Sequence, residues 1–140
     1  MAQDDYAVVV GIAGYPKLGD LDGTENDAIA FSEWLVSADG GDVPRQNVKL
    51  VLSSDYPYNG RPTEALPTTA LVDQKFDELI EDGLGQGGRL GRRLYMFFAG
   101  HGIAPDIDET ALLMANAAVP VRTGHHIPAR AYAKWFRRAE

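Results

Sequence analysis

The sequence contains no cysteine. That absence excludes disulfides, thiolate metal sites and any thiol nucleophile supplied by these 140 residues themselves. Long apolar runs are missing too. Nothing approaches the roughly 20 consecutive apolar residues of a membrane-crossing helix, and Met1 to Asp5 lacks the positive charge that opens a secretory signal. A cytoplasmic location with no membrane partner is the expectation. Basic charge is scarce in one half: residues 1–60 carry ten acids against three bases, whereas residues 61–140 carry ten against ten. The whole net charge of −7 therefore belongs to the first sixty residues. Such a surface repels phosphate backbones, so nucleic acid is not expected as a partner, and an acidic pocket for a basic group becomes plausible beside a merely solvated acidic face.

What is present is globular in character. At 45% hydrophobic and 24% charged residues the chain can bury one core, and its length suits one domain. Tyr6 to Ile12 is a continuous β-branched apolar run closed by glycine, the pattern of a strand covered on both faces and hence of a parallel sheet. After a loop rich in Gly, Pro and Asp, Thr24 and Asp27 form a capping-box pattern that opens a helix with Ala28, Phe31, Leu35 and Ala38 on one face. Val48 to Leu52 reads as a second strand, followed by a turn-rich loop from Ser54 to Pro67. Thr68 or Thr69 caps a second helix whose apolar face is Val72, Phe76, Leu79 and Ile80, ending at Asp82-Gly83. Gly83, Gly85 and Gly88 formally match a dinucleotide fingerprint, but the match follows a helix and precedes a strand, the reverse of what pyrophosphate binding needs. A flexible connection is the better reading.

Leu94 to Ala99 forms a third buried strand that runs into Gly100-His101-Gly102. An acidic turn, a short apolar strand from Ala111 to Ala115, and a helix after Pro128 with Tyr132, Trp135 and Phe136 on one stripe complete the order. Alternating strands and helices predict an α/β fold with a doubly wound, mainly parallel sheet. The strand expected after the last helix is absent from the chain, so the sheet is expected to be incomplete.

With the common strand arrangement 2-1-3, two loops meet beyond the carboxyl ends of strands one and three, where such sheets bind ligands. One loop, Gly11 to Asp27, offers Asp20, Asp22, Glu25 and Asp27, with glycines at 14, 19 and 23 for tight turns. The other presents His101 between glycines that let the backbone turn sharply, so that the imidazole can act as acid or base and the Gly102 amide can donate to a developing oxyanion. A histidine that merely hydrogen-bonds in a turn is the competing reading. His125 and His126 are adjacent, their side chains point apart, and surface or capping roles suit them better than a shared metal.

Three segments together are specific: Tyr6-Ala7-Val8-Val9-Val10-Gly11-Ile12, Gly23-Thr24-Glu25-Asn26-Asp27-Ala28, and Tyr95-Met96-Phe97-Phe98-Ala99-Gly100-His101-Gly102. In this order and spacing the chain resembles the caspase-like cysteine peptidases, nearest to metacaspases and their bacterial relatives. The resemblance implies a three-layer α/β fold and a p20-like, N-terminal portion of that domain over residues 1–140. It implies His101 as the histidine of a Cys/His dyad and Gly102 as an oxyanion donor. Asp27 falls on the acid that selects Arg or Lys at P1, with Thr24 and Ala99 also at substrate-binding positions. Helix capping is the structural alternative for Asp27. The family commonly has Cys where Thr24 stands and Ser where Ala99 stands. It often binds calcium after the histidine, which here leaves Asp106, Asp108 and Glu109 as weak candidates and calcium as a possible cofactor.

In caspases the cysteine follows the histidine by about 50 residues, near position 151 here. The expected partner is therefore a C-terminal fragment of the same domain carrying the cysteine, and the 140 residues alone are expected to be inactive. The expected substrates are proteins or peptides. Ser53 and Ser54 are poor substitutes for the nucleophile, since they end the second strand on the far side of the first from His101. A non-catalytic caspase-like module for interaction or assembly is the alternative, and a nucleotide-binding loop at Gly11 to Gly23 is weakened by the lack of a Walker pattern.

Overall fold

A computed structural model describes residues 2–84, 91–107, 109–118 and 124–138. The elements are β1 (Asp5–Gly11), α1 (Thr24–Val36), β2 (Val48–Leu52), α2 (Thr69–Leu84), β3 (Arg93–Ala99), β4 (Gly102–Asp106), β5 (Glu109–Leu113), β6 (His126–Pro128) and α3 (Ala129–Arg138). β1 lies between β2 and β3 and is parallel to both, with Gly11 level with Leu52 on one side and Ala99 on the other.

Every residue of β1 is buried, and alternation divides them between two clusters. Ala7 and Val9 share one cluster with Ala28 and Leu35 of α1. Tyr6, Val8 and Val10 share the other with Val72, Phe76 and Leu79 of α2 and with Ile127. Helices thus cover both faces of the sheet, which is why the strand shows no polar side and reads as a continuous apolar run. Each fully buried valine contributes about 1.5–3 kcal/mol, so β1 is the energetic centre of the domain. The three-layer α/β architecture expected from the sequence is the one observed. The outer strand β3 is only half-buried from Leu94 to Ala99.

Gly11 is small because α1 crosses it. A Cβ there would lie 2.7 Å from the Ala28 Cβ and 3.1 Å from the Thr24 carbonyl. Gly11→Ala is expected to lower stability by about 1–3 kcal/mol through overpacking, read as a lower urea midpoint. An unchanged midpoint would mean that α1 does not rest on this position.

Several expectations are corrected. The Thr24/Asp27 capping box does not form: Gly23, at φ 87°, is the N-cap, and no side chain caps the helix. Thr24 instead donates its hydroxyl to the Ile12 carbonyl at 3.0 Å, because that carbonyl, just past the end of β1, competes for it. α1 stops at Val36, leaving Ala38 beyond it, whereas α2 runs through Gly83 to Leu84. Residues 85–90, which include two of the three fingerprint glycines, lie outside the described residues.

The segment after His101, expected as an acidic turn and one short strand, forms a three-stranded antiparallel sheet in the order β4-β5-β6. Its outer strand β4 carries Pro105 and Asp106, residues that edge strands tolerate and that hide a strand from its sequence. In α3, Tyr132 and Phe136 pack against Phe76 with ring centroids at 5.3 and 5.1 Å, while Trp135 is largely exposed rather than on the same buried stripe.

Candidate active site

The loop after β1 is closed by its own backbone. Leu18 and Gly19 donate their amides to the Tyr15 carbonyl at 3.1 and 2.9 Å, and Asp20 accepts the Tyr15 amide at 2.8 Å. Gly19 has φ 91°, a conformation that a side chain would strain, and this turn directs its carbonyl to the end of β3. There the His101 Nε2 lies 2.8 Å from the Gly19 oxygen. A carbonyl only accepts, so Nε2 bears the proton and Nδ1 keeps its lone pair in the neutral ring. The ring nitrogen left over is the one able to take a proton from a substrate or nucleophile.

The backbone of His101 is held as firmly as its ring. Its carbonyl accepts the Leu113 amide at 2.8 Å, and its amide donates to the Tyr15 hydroxyl at 3.0 Å. That hydroxyl donates onward to the Leu113 carbonyl at 2.8 Å. The Tyr15 ring meets the imidazole edge-on, at 4.6 Å and 68°. Tyr15 is fully buried, and burial pushes its phenol well above the ordinary range despite the opposing bond from His101.

The glycines flanking His101 were expected to allow a sharp turn, and neither adopts a positive φ. Gly100 is required for close approach instead, since a Cβ there would meet the Tyr15 hydroxyl and lie 2.9 Å from the Leu112 side chain. Gly102 pairs with Leu112. Because the neighbouring His101/Leu113 position carries a ladder hydrogen bond, antiparallel alternation turns the Gly102 N–H away from β5, toward the open edge of the sheet. Among the described residues this N–H has no acceptor, so it can donate to a ligand.

The acids of the first loop do not converge. Asp20 closes its own turn, and Asp22 and Asp27 are exposed. Asp27 stands in the first turn of α1 and makes no side-chain bond among the described residues. Thr24, whose hydroxyl is bonded to Ile12, and Ala99, whose carbonyl accepts the Ile12 amide at 2.9 Å, sit where β1 and β3 end.

Glu25 turns to the other side. It accepts from the Ser53 hydroxyl at 2.6 Å and the Ser54 amide at 2.8 Å, while Ser53 Oγ accepts from Ala13 and Gly14 at 3.0 and 3.2 Å. These groups floor a groove of about 360 Å³ walled by Tyr56 and Tyr58. Burial alone would raise the Glu25 pKa, but the bonds from Ser53 and Ser54 outweigh it and hold the carboxyl below its ordinary range. Its contribution to stability is therefore complete above about pH 4.5 and is lost as pH falls below that, through the lowered folded value. Taking wild type from about pH 6 to pH 3 is expected to depress the urea midpoint more than in Glu25→Gln. Equal slopes would remove Glu25 from the acid sensitivity.

Of the calcium candidates, Asp106 and Glu109 face each other across β4 and β5, and Asp106 also accepts from the Ile107 amide at 2.7 Å. Asp108 lies outside the described residues, among which no three acids or histidines gather as a metal site would need. His126 lies in β6 and His125 just before it, each with a buried Nδ1 that has no partner among the described residues. Among those residues, no helix is long and apolar enough to cross a membrane.

The sequence reading named His101 and Gly102 but missed Tyr15, the Gly19 carbonyl and the Glu25–Ser53 bond. A tyrosine followed by proline in a loop carries no signal of that kind, and a carbonyl is common to every residue.

Among known proteins, the family described as caspase domain, peptidase C14, matches residues 4–133. A protein described as a probable protease, from a Desulfuromonadales bacterium, is 36% identical over 101 residues. That match covers 71% of this chain and 12% of the relative, so the chain spans only a small part of the relative's length.

Proposed function

Because the chain belongs to the caspase-domain family, we propose that it is the histidine-bearing portion of a caspase-like cysteine endopeptidase cleaving after Arg or Lys. The observation that carries this reading is the bond from His101 Nε2 to the Gly19 carbonyl, which leaves Nδ1 as a base on a fixed ring. In the proposed reaction Nδ1 takes the proton of a cysteine thiol supplied by sequence outside these 140 residues. The thiolate attacks the scissile carbonyl, and the Gly102 N–H donates to the oxyanion. The tetrahedral intermediate collapses as the imidazolium returns its proton to the leaving amine, giving an acyl-enzyme that water then hydrolyses with the ring again acting as base.

Asp27 is proposed as the acid that selects the P1 cation. It is exposed and makes no side-chain bond among the described residues, so its carboxylate is open to a guanidinium or ammonium partner.

The reading is tested by joining the chain to its cysteine-bearing sequence and assaying fluorogenic peptides with Arg, Lys or Asp at P1. Cleavage after Arg or Lys is expected, and no cleavage of any peptide with the cysteine intact would overturn it. The absence of cysteine from all 140 residues favours one second reading, a non-catalytic caspase-like module. Mass spectrometry of whatever copurifies separates the two: a cysteine-bearing fragment of the same domain supports the peptidase, and a native protein that never acquires one supports the module.

A further inference from the structure

In a regular antiparallel ladder, two residues joined as a hydrogen-bonded pair exchange both amide–carbonyl bonds. His101 and Leu113 exchange only one. The Leu113 amide reaches the His101 carbonyl directly, at 2.8 Å. On the return side the Tyr15 hydroxyl stands between them, accepting from the His101 amide at 3.0 Å and donating to the Leu113 carbonyl at 2.8 Å. A phenol oxygen thus occupies the place of a ladder bond and holds the start of β4 open by the width of one oxygen.

Three further observations show that the insertion is built in. Tyr15 is fully buried, so its hydroxyl has no water to turn to. Gly100 is the residue beside it, and any side chain there would collide with the hydroxyl. The same Tyr15 whose hydroxyl splays the ladder also starts the turn that ends in the Gly19 carbonyl, and its ring lies edge-on to the imidazole.

We infer that Tyr15 is a positioning residue for His101: its hydroxyl sets the distance of the histidine backbone from β5, so that the ring reaches the Gly19 carbonyl and presents Nδ1. Without the hydroxyl the His101 amide can close directly on the Leu113 carbonyl. That shift draws His101 toward β5 and away from Gly19, and the ring then has no fixed tautomer. The phenol stays protonated through the ordinary assay range, because burial holds its ionisation far above it, so the spacer is constant with pH.

The inference rests on the proposed role of His101, and two readouts keep the two separable. The first needs no cysteine: nitrogen-15 NMR of the His101 ring in this chain. Wild type is expected to show one Nε2-protonated form, and Tyr15→Phe, which keeps the ring and removes the oxygen, a mixture of tautomers. The second is kinetics in the cysteine-bearing form, where Tyr15→Phe is expected to lower kcat about 10- to 100-fold and leave KM within about twofold, as misplacement of a reacting group does.

A folded Tyr15→Phe protein with the single wild-type ring signature and wild-type kcat would overturn the inference. Should Tyr15→Phe fail to fold, Gly100→Ala decides by the same ring signature, since it displaces the hydroxyl while keeping the phenol. A wild-type signature there overturns the inference as well. If instead His101→Ala leaves proteolysis intact, the catalytic reading fails, and the NMR result still says whether Tyr15 sets the ring.

Discussion

His101→Ala in the cysteine-bearing form is expected to lower kcat/KM about 10³- to 10⁴-fold, with folding unchanged. That is about 4–5.5 kcal/mol of transition-state stabilisation lost. The size follows from two tasks assigned to one ring: it must remove the thiol proton at attack and return a proton to the leaving amine. Alanine can do neither, and no other histidine is bonded in its place, since Gly19 and Tyr15 are both committed to His101. The imidazole is half-buried and its contacts lie at the end of β3, so truncation costs few core contacts. A His101→Ala protein that cleaves as fast as wild type, with the cysteine still required, would place the base elsewhere.

Asp27→Asn should remove the preference for basic residues. A carboxylate paired with a substrate cation and closed off from water loses about 2–5 kcal/mol when its charge is removed, so cleavage after Arg or Lys should fall about 30-fold or more. The same change should cost the protein little stability, about 0.3–1 kcal/mol, the value of one acid in the first turn of a helix. The structure adds a sharp competitor, because Glu25 is two residues away and faces a groove of its own. Undiminished cleavage after Arg in Asp27→Asn, with loss in Glu25→Gln, would move specificity to that groove.

The parts of the fold that could be read in advance share a physical cause. β1, β2 and α1 take their character from neighbours along the chain and from burial on a fixed period, so Val8, Val10, Ala28 and Leu35 announce themselves. β4 does not, because an outer strand needs little apolar surface and Pro105 and Asp106 resemble a turn. β6 is three residues long and exists only as a partner of β5. At the site, Gly100-His101-Gly102 is visible as a motif, but the reason for its first glycine is not. That reason is the Tyr15 hydroxyl, and its approach becomes apparent only when β1, β3 and β5 are brought together. The capping pattern at Thr24 misled for a similar cause: an unsatisfied carbonyl at the end of β1, twelve residues earlier, claimed the hydroxyl.

The Tyr15–Leu113 bond joins residues 98 apart in the chain. A contact of that span is gained only after the intervening segments have surrendered most of their freedom, so it belongs among the late events of folding. A nascent chain that has paired β1, β2 and β3 already carries its histidine, yet the Tyr15 hydroxyl and the His101 carbonyl have no partners on Leu113 until β5 arrives. The final placement of the histidine is thereby timed: it follows the docking of the second sheet on the first.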